Sequence, residues 1–264
     1  MFYNKMNSMM QEYKTIMESI IGILIIIFIS TGSVCFSCEV ELFSLINPGT
    51  ISDPVLTDLI DVASQAAEVA RHLGSQEKME FHTSILEQKW RNLELMLKDA
   101  YPKWAVEQID WQDQLNKFNR LLEKMKDLLE KRDGVAFDKE LQVFFRSAIR
   151  LICCGPLPDS QKAIFNISIH YWSLQEACLE RNAGNFLAEA KNLSDYLAAQ
   201  NFSISSDSHA IPQMKEWADQ IQKRFSSTPG SFSQEIFISF EMVKKNYIEF
   251  LFAIQSFQTS TTHQ

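Results

Sequence analysis

From residue 52 onward, apolar side chains recur at intervals of three and four residues, and this spacing limits the possible folds more than any other feature. It places the apolar side chains along one face of an α-helix, where they can be buried together. The chain also has only 8 Gly and 7 Pro among 264 residues, too few for the many tight turns of an all-β fold. The sequence therefore predicts an all-α protein.

Eight main helices are predicted, each an apolar stripe that ends at residues unfavourable to a helix. The first begins after Asp53, because an Asp N-cap followed by Pro54 at the first helical position is a typical helix start. The third has the clearest stripe, with charged side chains facing away from it. Its apolar residues are Trp111, Leu115, Phe118, Leu122, Met125 and Leu129. The predicted interruptions are Gly74, residues 101–110, Gly134, residues 155–160, Gly184, residues 201–209 and residues 228–231.

The Pro-rich segment 155–160 divides these helices into two groups of four. Because short connections join successive helices, we expect two tandem antiparallel four-helix bundles, with a helical solenoid as the alternative packing. The halves align approximately, which favours duplication of one bundle; chance similarity between amphipathic helices is the alternative. The aligned pairs are Asp53 with Asp159, Gly74 with Gly184 and Gly134 with Gly230.

A stretch of twenty residues without acidic or basic side chains, 19–38, separates Glu18 from Glu39 and contains the strongly apolar run 20–29. As a helix it would span about 30 Å, which is close to the thickness of a bilayer core. Lys5 and Lys14 precede the stretch, whereas acidic residues follow it. The positive-inside rule therefore predicts a cytoplasmic N-terminus and export of everything after residue 38.

Three fates are open for this N-terminal segment: retention as a single-pass anchor, removal at a weak signal-peptidase site at residues 31–33, or cleavage before a lipid-modified Cys38. Ser37 and Cys38 loosely resemble a bacterial lipoprotein signal, from which Phe36 departs. We expect membrane attachment with the helices on the extracytoplasmic (periplasmic) side; a soluble secreted or periplasmic protein after cleavage is the alternative. The predicted organisation is a signal or anchor segment 1–38, a tether 39–51, a first bundle 52–154, a linker 155–160, a second bundle 161–257 and a tail 258–264.

The net charge of −8, from 33 acidic and 25 basic residues, argues against nucleic acid as a partner, because phosphates bind to basic surfaces. The sequence has no G-x-S-x-G, phosphate-binding loop, dinucleotide-binding or H-E-x-x-H motif. We therefore predict no enzymatic activity, no catalytic residue and no cofactor. The expected function is the binding of a protein or small-ligand partner, in a scaffold or accessory role.

Two histidines and two aromatic residues are the candidate site residues. His82 and His170 lie in predicted helices and are weak candidate ligands for a non-covalent haem or a metal ion, which defines the alternative function in sensing or electron transfer. A helical His of this kind is more often partly buried, with one ring nitrogen hydrogen-bonded. Tyr101 and Trp104 precede the third helix and form a candidate partner contact, with packing against the end of the bundle as the alternative.

The cysteines of the helical region are predicted to be free. Cys153 and Cys154 end the fourth helix, and Cys178 lies about 25 Å along the fifth if the two helices form a hairpin. A disulfide needs Cα atoms within about 7 Å, so that arrangement excludes a bridge. We expect all three thiols to be buried like small apolar side chains.

Overall fold

The computed structural model describes Glu39, Leu42 and residues 51–99, 101–104, 110–199, 210–225 and 234–261. These residues contain eight α-helices and no β-strand, which confirms the all-α prediction. The predicted N-terminal segment 1–38, including Cys38, and the predicted interruptions at 201–209 and 228–231 lie outside the described residues. None of the described helices is both long enough and apolar enough to cross a membrane.

The eight helices follow the predicted order. They are α1 (Pro54–Arg71), α2 (Gln76–Asp99), α3 (Trp111–Glu130), α4 (Gly134–Cys154), α5 (Asp159–Leu179), α6 (Ala183–Ala199), α7 (Ala210–Phe225) and α8 (Gln234–Thr261). Several boundaries differ by a few residues from the prediction. Helix α5 begins inside the predicted linker 155–160. Helix α4 begins at Gly134 and α6 begins at Ala183, so the two glycines predicted as interruptions lie in the first turn of a helix. Helix α8 continues to Thr261, past the predicted end of the second bundle at 257.

Acidic N-caps fix the starts of three of these helices. The side chain of Asp53 accepts a hydrogen bond from the backbone N–H of Leu56 at 2.8 Å, as the Asp-Pro pattern predicts. Asp110 and Asp133 cap α3 and α4 in the same way, each at 3.0 Å. The alignment of Asp53 with Asp159 is not reproduced, because Pro158 is the N-cap of α5 and Asp159 is its first helical residue.

One helix–turn–helix connection occurs twice. Arg132 after α3 and Arg181 after α5 have positive φ angles, 56° and 54°, in the left-handed region that often ends a helix. The following residues, Asp133 and Asn182, then accept a hydrogen bond from the backbone N–H three residues on, at 3.0 and 3.1 Å, and so cap the next helix. The repeated unit therefore joins α3 to α4 and α5 to α6, which is not the correspondence that the sequence alignment of the halves predicts.

Helix contacts follow two cycles. In the first, α1 packs against α2 and α4, while α3 packs against α2 and α4. In the second, α5, α6, α7 and α8 contact one another in order, and α8 returns to α5. Helix α4 also contacts α5. The separation into two tandem bundles stays a prediction, although the contacts follow this grouping.

Helix α4 is buried around more of its circumference than its predicted apolar stripe requires. The stripe residues Phe137, Leu141, Phe144, Ala148 and Ile152 are all buried. Their neighbours Phe145, Arg146, Ile149 and Cys153 are buried as well. Because α4 contacts α1, α3 and α5, few of its faces are left to solvent. This placement brings a guanidinium group, that of Arg146, into the interior.

Candidate functional site

A groove of about 360 Å³ lies between α2 and α3. Two side chains in it are apolar and buried, Trp90 and Leu122, and the others are polar or charged. The lining residues are Glu87, Trp90, Arg91, Glu94, Asn119, Leu122, Glu123 and Lys126. Ligand sites commonly combine an apolar base with a few fixed polar groups, so this groove is the candidate binding site.

Trp90 is held in one orientation within the groove. Its ring stacks on Phe118 with 4.4 Å between centroids, and its indole N–H donates to Asn119 Oδ1 at 2.7 Å. The amide of Asn119 in turn donates to Glu94 Oε1 at 3.1 Å. This chain of hydrogen bonds connects the buried indole to the charged rim, so a ligand would meet a preorganised surface.

Paired charges form the wall of the groove. Glu87 accepts a hydrogen bond from Arg91 Nε at 3.0 Å and forms an ion pair with Lys126 across the groove. Partial burial raises the pKa of Glu87, but the hydrogen bonds from Lys126 and Arg91 outweigh it and hold the pKa below its ordinary value. Glu87 is therefore a carboxylate at neutral pH. With Glu94 and Glu123 also present, the groove offers both signs of charge.

A second polar cluster is buried where α4 meets α5, centred on an ion pair between Glu39 and Arg146. Arg146 Nη2 lies 3.1 Å from Glu39 Oε1, and Arg146 Nε lies 3.4 Å from Oε2. The same guanidinium donates to Gln175 Oε1 at 2.8 Å, and its carbon lies 5.2 Å from the ring centroid of Trp172. Glu39 is completely buried, and Leu42 is 1% exposed. Segment 39–51 was predicted as a tether at the membrane surface, and at these two residues the structure differs.

Burial and pairing act in opposite directions on this pair. Burial raises the pKa of Glu39 above its ordinary value, and the attraction of Arg146 opposes that effect without cancelling it. Burial also disfavours the charged form of Arg146, but Glu39 outweighs it, so the pKa of the guanidinium is raised. Burial likewise raises the pKa of the nearby Asp138, despite a hydrogen bond from Gln142 at 3.2 Å.

The two candidate histidines lie in different surroundings. The Nδ1 atom of His82 lies 3.2 Å from Gln65 Nε2, and the ring stacks on His72 with 4.6 Å between centroids. His170 is half-buried beside the ring of Tyr196, and burial lowers its pKa although Glu189 opposes this. None of these contacts brings His82 and His170 together at one site. The described residues contain no group of three or more His, Cys, Asp or Glu side chains able to hold a metal ion.

Tyr101 and Trp104 both pack on the first residue of α3. Tyr101 stacks on Trp111 with 6.1 Å between centroids, and Trp104 meets the edge of the same ring at 6.2 Å. The indole N–H of Trp104 donates to Asp53 Oδ2 at 2.9 Å, so this side chain links the start of α1 to the start of α3. Tyr101 remains 42% exposed, whereas Trp104 is half-buried.

The three described cysteines are free thiols. Cys153 and Cys178 are buried, and burial raises the pKa of each to about 12. Cys154 is half-buried, and burial raises its pKa as well. Thiols with such pKa values carry almost no thiolate at neutral pH and are weak nucleophiles.

Comparison with models of protein families, with curated proteins and with solved structures gave no match.

Sequence reasoning did not identify Glu39, Arg146 or the residues of the groove. Arg146 stands between Phe145 and Ile149 in a strongly apolar helix, and a charged residue at such a position is the signal that points to a buried partner. The identity of that partner has no local signal, because Glu39 lies 107 residues earlier in the chain.

Proposed function

We propose that this chain is an exported helical protein, held at the membrane by its N-terminal segment, that binds a protein or small-ligand partner without catalysing a reaction. The groove between α2 and α3 is the observation that carries the binding role, since it joins a fixed indole to paired charges. The apolar run 20–29 and the charges on either side of it support the membrane attachment and the extracytoplasmic location.

The charges of the groove favour a partner with both acidic and basic groups. Glu87 is already bound by Arg91 and Lys126, whereas Glu123 is exposed at the rim. A cationic group of the partner can therefore pair with Glu123, and an anionic group can compete with Glu87 for Lys126.

Photo-crosslinking tests the groove. A photoreactive phenylalanine analogue replaces Arg120, an exposed residue one turn before Glu123 on α3, and in a matched control it replaces Glu216, an exposed Glu on α7. We expect a discrete adduct from position 120 that disappears when Lys126→Glu is added, because that change places a second carboxylate beside Glu87. Adducts that are equal at both positions, or unaffected by Lys126→Glu, would contradict the groove as the binding site.

Cell fractionation tests the membrane attachment. The full chain is expected in the membrane pellet after an alkaline wash, and a chain lacking residues 20–38 is expected in the soluble fraction. Protease added to intact cells should leave the helices of the full chain undigested. The same protease should digest them once the outer envelope is permeabilised and the cytoplasmic membrane is still intact. Recovery of the full chain in the soluble fraction would refute the membrane tether.

A further inference from the structure

The first charged residue after the apolar N-terminal stretch is buried in the helical domain. Glu39 follows Cys38 directly, and its carboxylate meets Arg146 of α4 at 3.1 Å. Leu42, three residues later, is also buried. Glu39 and Leu42 are three residues apart, the spacing of one face of a helical turn, and both are buried in the helical domain. Glu39 is held there by an ion pair, and Leu42 by apolar contacts.

The surroundings of Arg146 require a carboxylate at this position. Its side chain is 9% exposed, and an unpaired charge at that depth is strongly unfavourable. Gln175 accepts one hydrogen bond, and the ring of Trp172 lies under the guanidinium, but neither carries a full negative charge. The half-buried Asp138 also interacts with Arg146 through its charge, but its hydrogen bond comes from Gln142. Glu39 is thus the carboxylate that forms the ion pair with Arg146.

We propose that Glu39 and Leu42 form a latch that fixes the helical domain directly to the end of the apolar segment. Without it, residues 39–51 would be a free tether, and thirteen extended residues reach about 45 Å. With the latch closed, residues 39–51 cannot extend, and the domain stays close to residue 38. The consequence for membrane attachment depends on the proposed function, whereas the binding of the latch to the domain does not.

Cutting the chain behind the latch tests this proposal. A protease site with a short Gly-Ser spacer is inserted after Asn47 of the full-length protein, which is then reconstituted in phosphatidylcholine vesicles. After cleavage, the vesicles are sedimented at intervals and the release of the helical domain is timed. For the native latch we expect a release half-time at least about tenfold longer than for Glu39→Gln, which keeps the shape of the side chain but removes its charge.

Two further variants complete the comparison. Leu42→Ala keeps the ion pair and loses apolar contact, so it should also shorten the half-time. It replaces Glu39→Gln in the comparison if circular dichroism shows that Glu39→Gln does not fold. Glu80→Gln, at an exposed position on α2, is the matched control and should behave like the native protein. Equal half-times for the native latch, the folded latch variants and the control would overturn the latch.

The same preparation separates the latch from the membrane tether. If the uncut protein fails to sediment with vesicles, the tether is refuted, and the latch is then judged by size-exclusion chromatography of the cut protein. Co-elution of the N-terminal fragment with the domain, lost in Glu39→Gln, supports the latch. Separate elution of the two fragments of the native sequence overturns it.

Discussion

Arg146 carries a positive charge into the interior, where Glu39, Gln175 and Trp172 surround its guanidinium. A buried ion pair contributes little net stability compared with well-packed apolar side chains, because both charges lose their hydration. We expect its contribution to lie in selectivity, because a guanidinium at this depth disfavours any segment that brings no carboxylate to it.

Arg146→Met should lower the free energy of unfolding by about 3–5 kcal/mol, because it leaves the carboxylate of Glu39 buried without a cation. The double variant Glu39→Leu/Arg146→Met should be substantially more stable than Arg146→Met alone. Chemical denaturation measures both values. Arg120→Met, at an exposed position on α3, is the control and should change stability by less than about 0.5 kcal/mol. A double variant no more stable than the single one would show that the two charges are not coupled.

His170 should make the protein less stable at mildly acidic pH. Burial lowers its pKa, so in the window below the ordinary value of about 6.5 the unfolded chain binds a proton more readily than the folded one. Stability is then lost as the pH falls through that window. His170→Gln should reduce the fall in Tm between pH 7.5 and pH 5.

Glu189 supplies an internal check on this pH dependence. Its negative charge raises the pKa of His170 and so opposes the effect of burial. Glu189→Gln should therefore increase the fall in Tm over the same pH range, provided that His170 is present. An equal fall in the native protein, in His170→Gln and in Glu189→Gln would exclude His170 as the titrating group.

At the residue scale, the sequence predicts which side chains are buried better than it predicts which distant residues they contact. The six stripe residues of α3 are all buried as predicted, since helical periodicity alone decides which side chains face inward. Periodicity carries no information on which distant residue a buried charge will meet. Glu39 was consequently interpreted as a charge flanking a membrane segment, and Arg146 had no predicted role.

Among the secondary-structure elements, the connection that follows α3 and α5 is the best example of local control. A residue with positive φ ends one helix, and an Asp or Asn in the next position caps the following one. Phe137 and Phe186, each four residues after the cap residue, are fully buried and anchor the new helix. A short sequence thus ends one helix, reverses the chain and starts another.

Asp53→Ala should destabilise the protein by about 2 kcal/mol. The carboxylate caps α1 through the N–H of Leu56, worth about 1 kcal/mol, and also accepts the indole hydrogen bond of Trp104, worth a similar amount. Asp110→Ala removes a cap of the same type at the start of α3, so its cost should be near about 1 kcal/mol. Equal losses, measured by chemical denaturation, would mean that the Trp104 hydrogen bond adds nothing.

Helix starts were predictable where one residue is clearly marked as the cap and were displaced where neighbouring residues compete for that role. Asp53 and Pro54 form a start signal that needs no tertiary contact, and α1 begins at the predicted residue. In α6 the interruption was assigned to Gly184, but the helix starts at Ala183, because Asn182 provides the cap. A cap can act at any residue whose side chain accepts a hydrogen bond, so a nearby glycine is an ambiguous marker.

Across the whole molecule, the connection from α4 to α5 passes close to the start of α1. A Cβ atom on Gly155 would lie 2.8 Å from Leu56 Cδ1, and Leu56 is completely buried, so the added carbon would overlap a core side chain. The Pro-rich segment was predicted as a linker between two bundles. Its packing against α1 shows that it also contributes to the core, which a reading of composition does not reveal.

Gly155→Ala should cost about 1–3 kcal/mol through overpacking against Leu56. Gly74→Ala is the matched control, because a Cβ there meets no atom within 4 Å, and a small gain of about 0.4–1 kcal/mol is expected from the less flexible unfolded chain. Thermal and chemical unfolding measure both effects. Similar changes for the two substitutions would argue against a close contact between Gly155 and Leu56.

The separation of 107 residues between Glu39 and Arg146 has a consequence for the order of events during synthesis. Glu39 leaves the ribosome early, but the guanidinium that it binds is also held by Gln175 of α5, which is translated 136 residues after Glu39. At about 5–20 residues per second, this interval lasts roughly 7–27 s. Throughout that time the apolar stretch before Glu39 remains accessible to targeting factors, and only afterwards can the finished domain draw its beginning into the core.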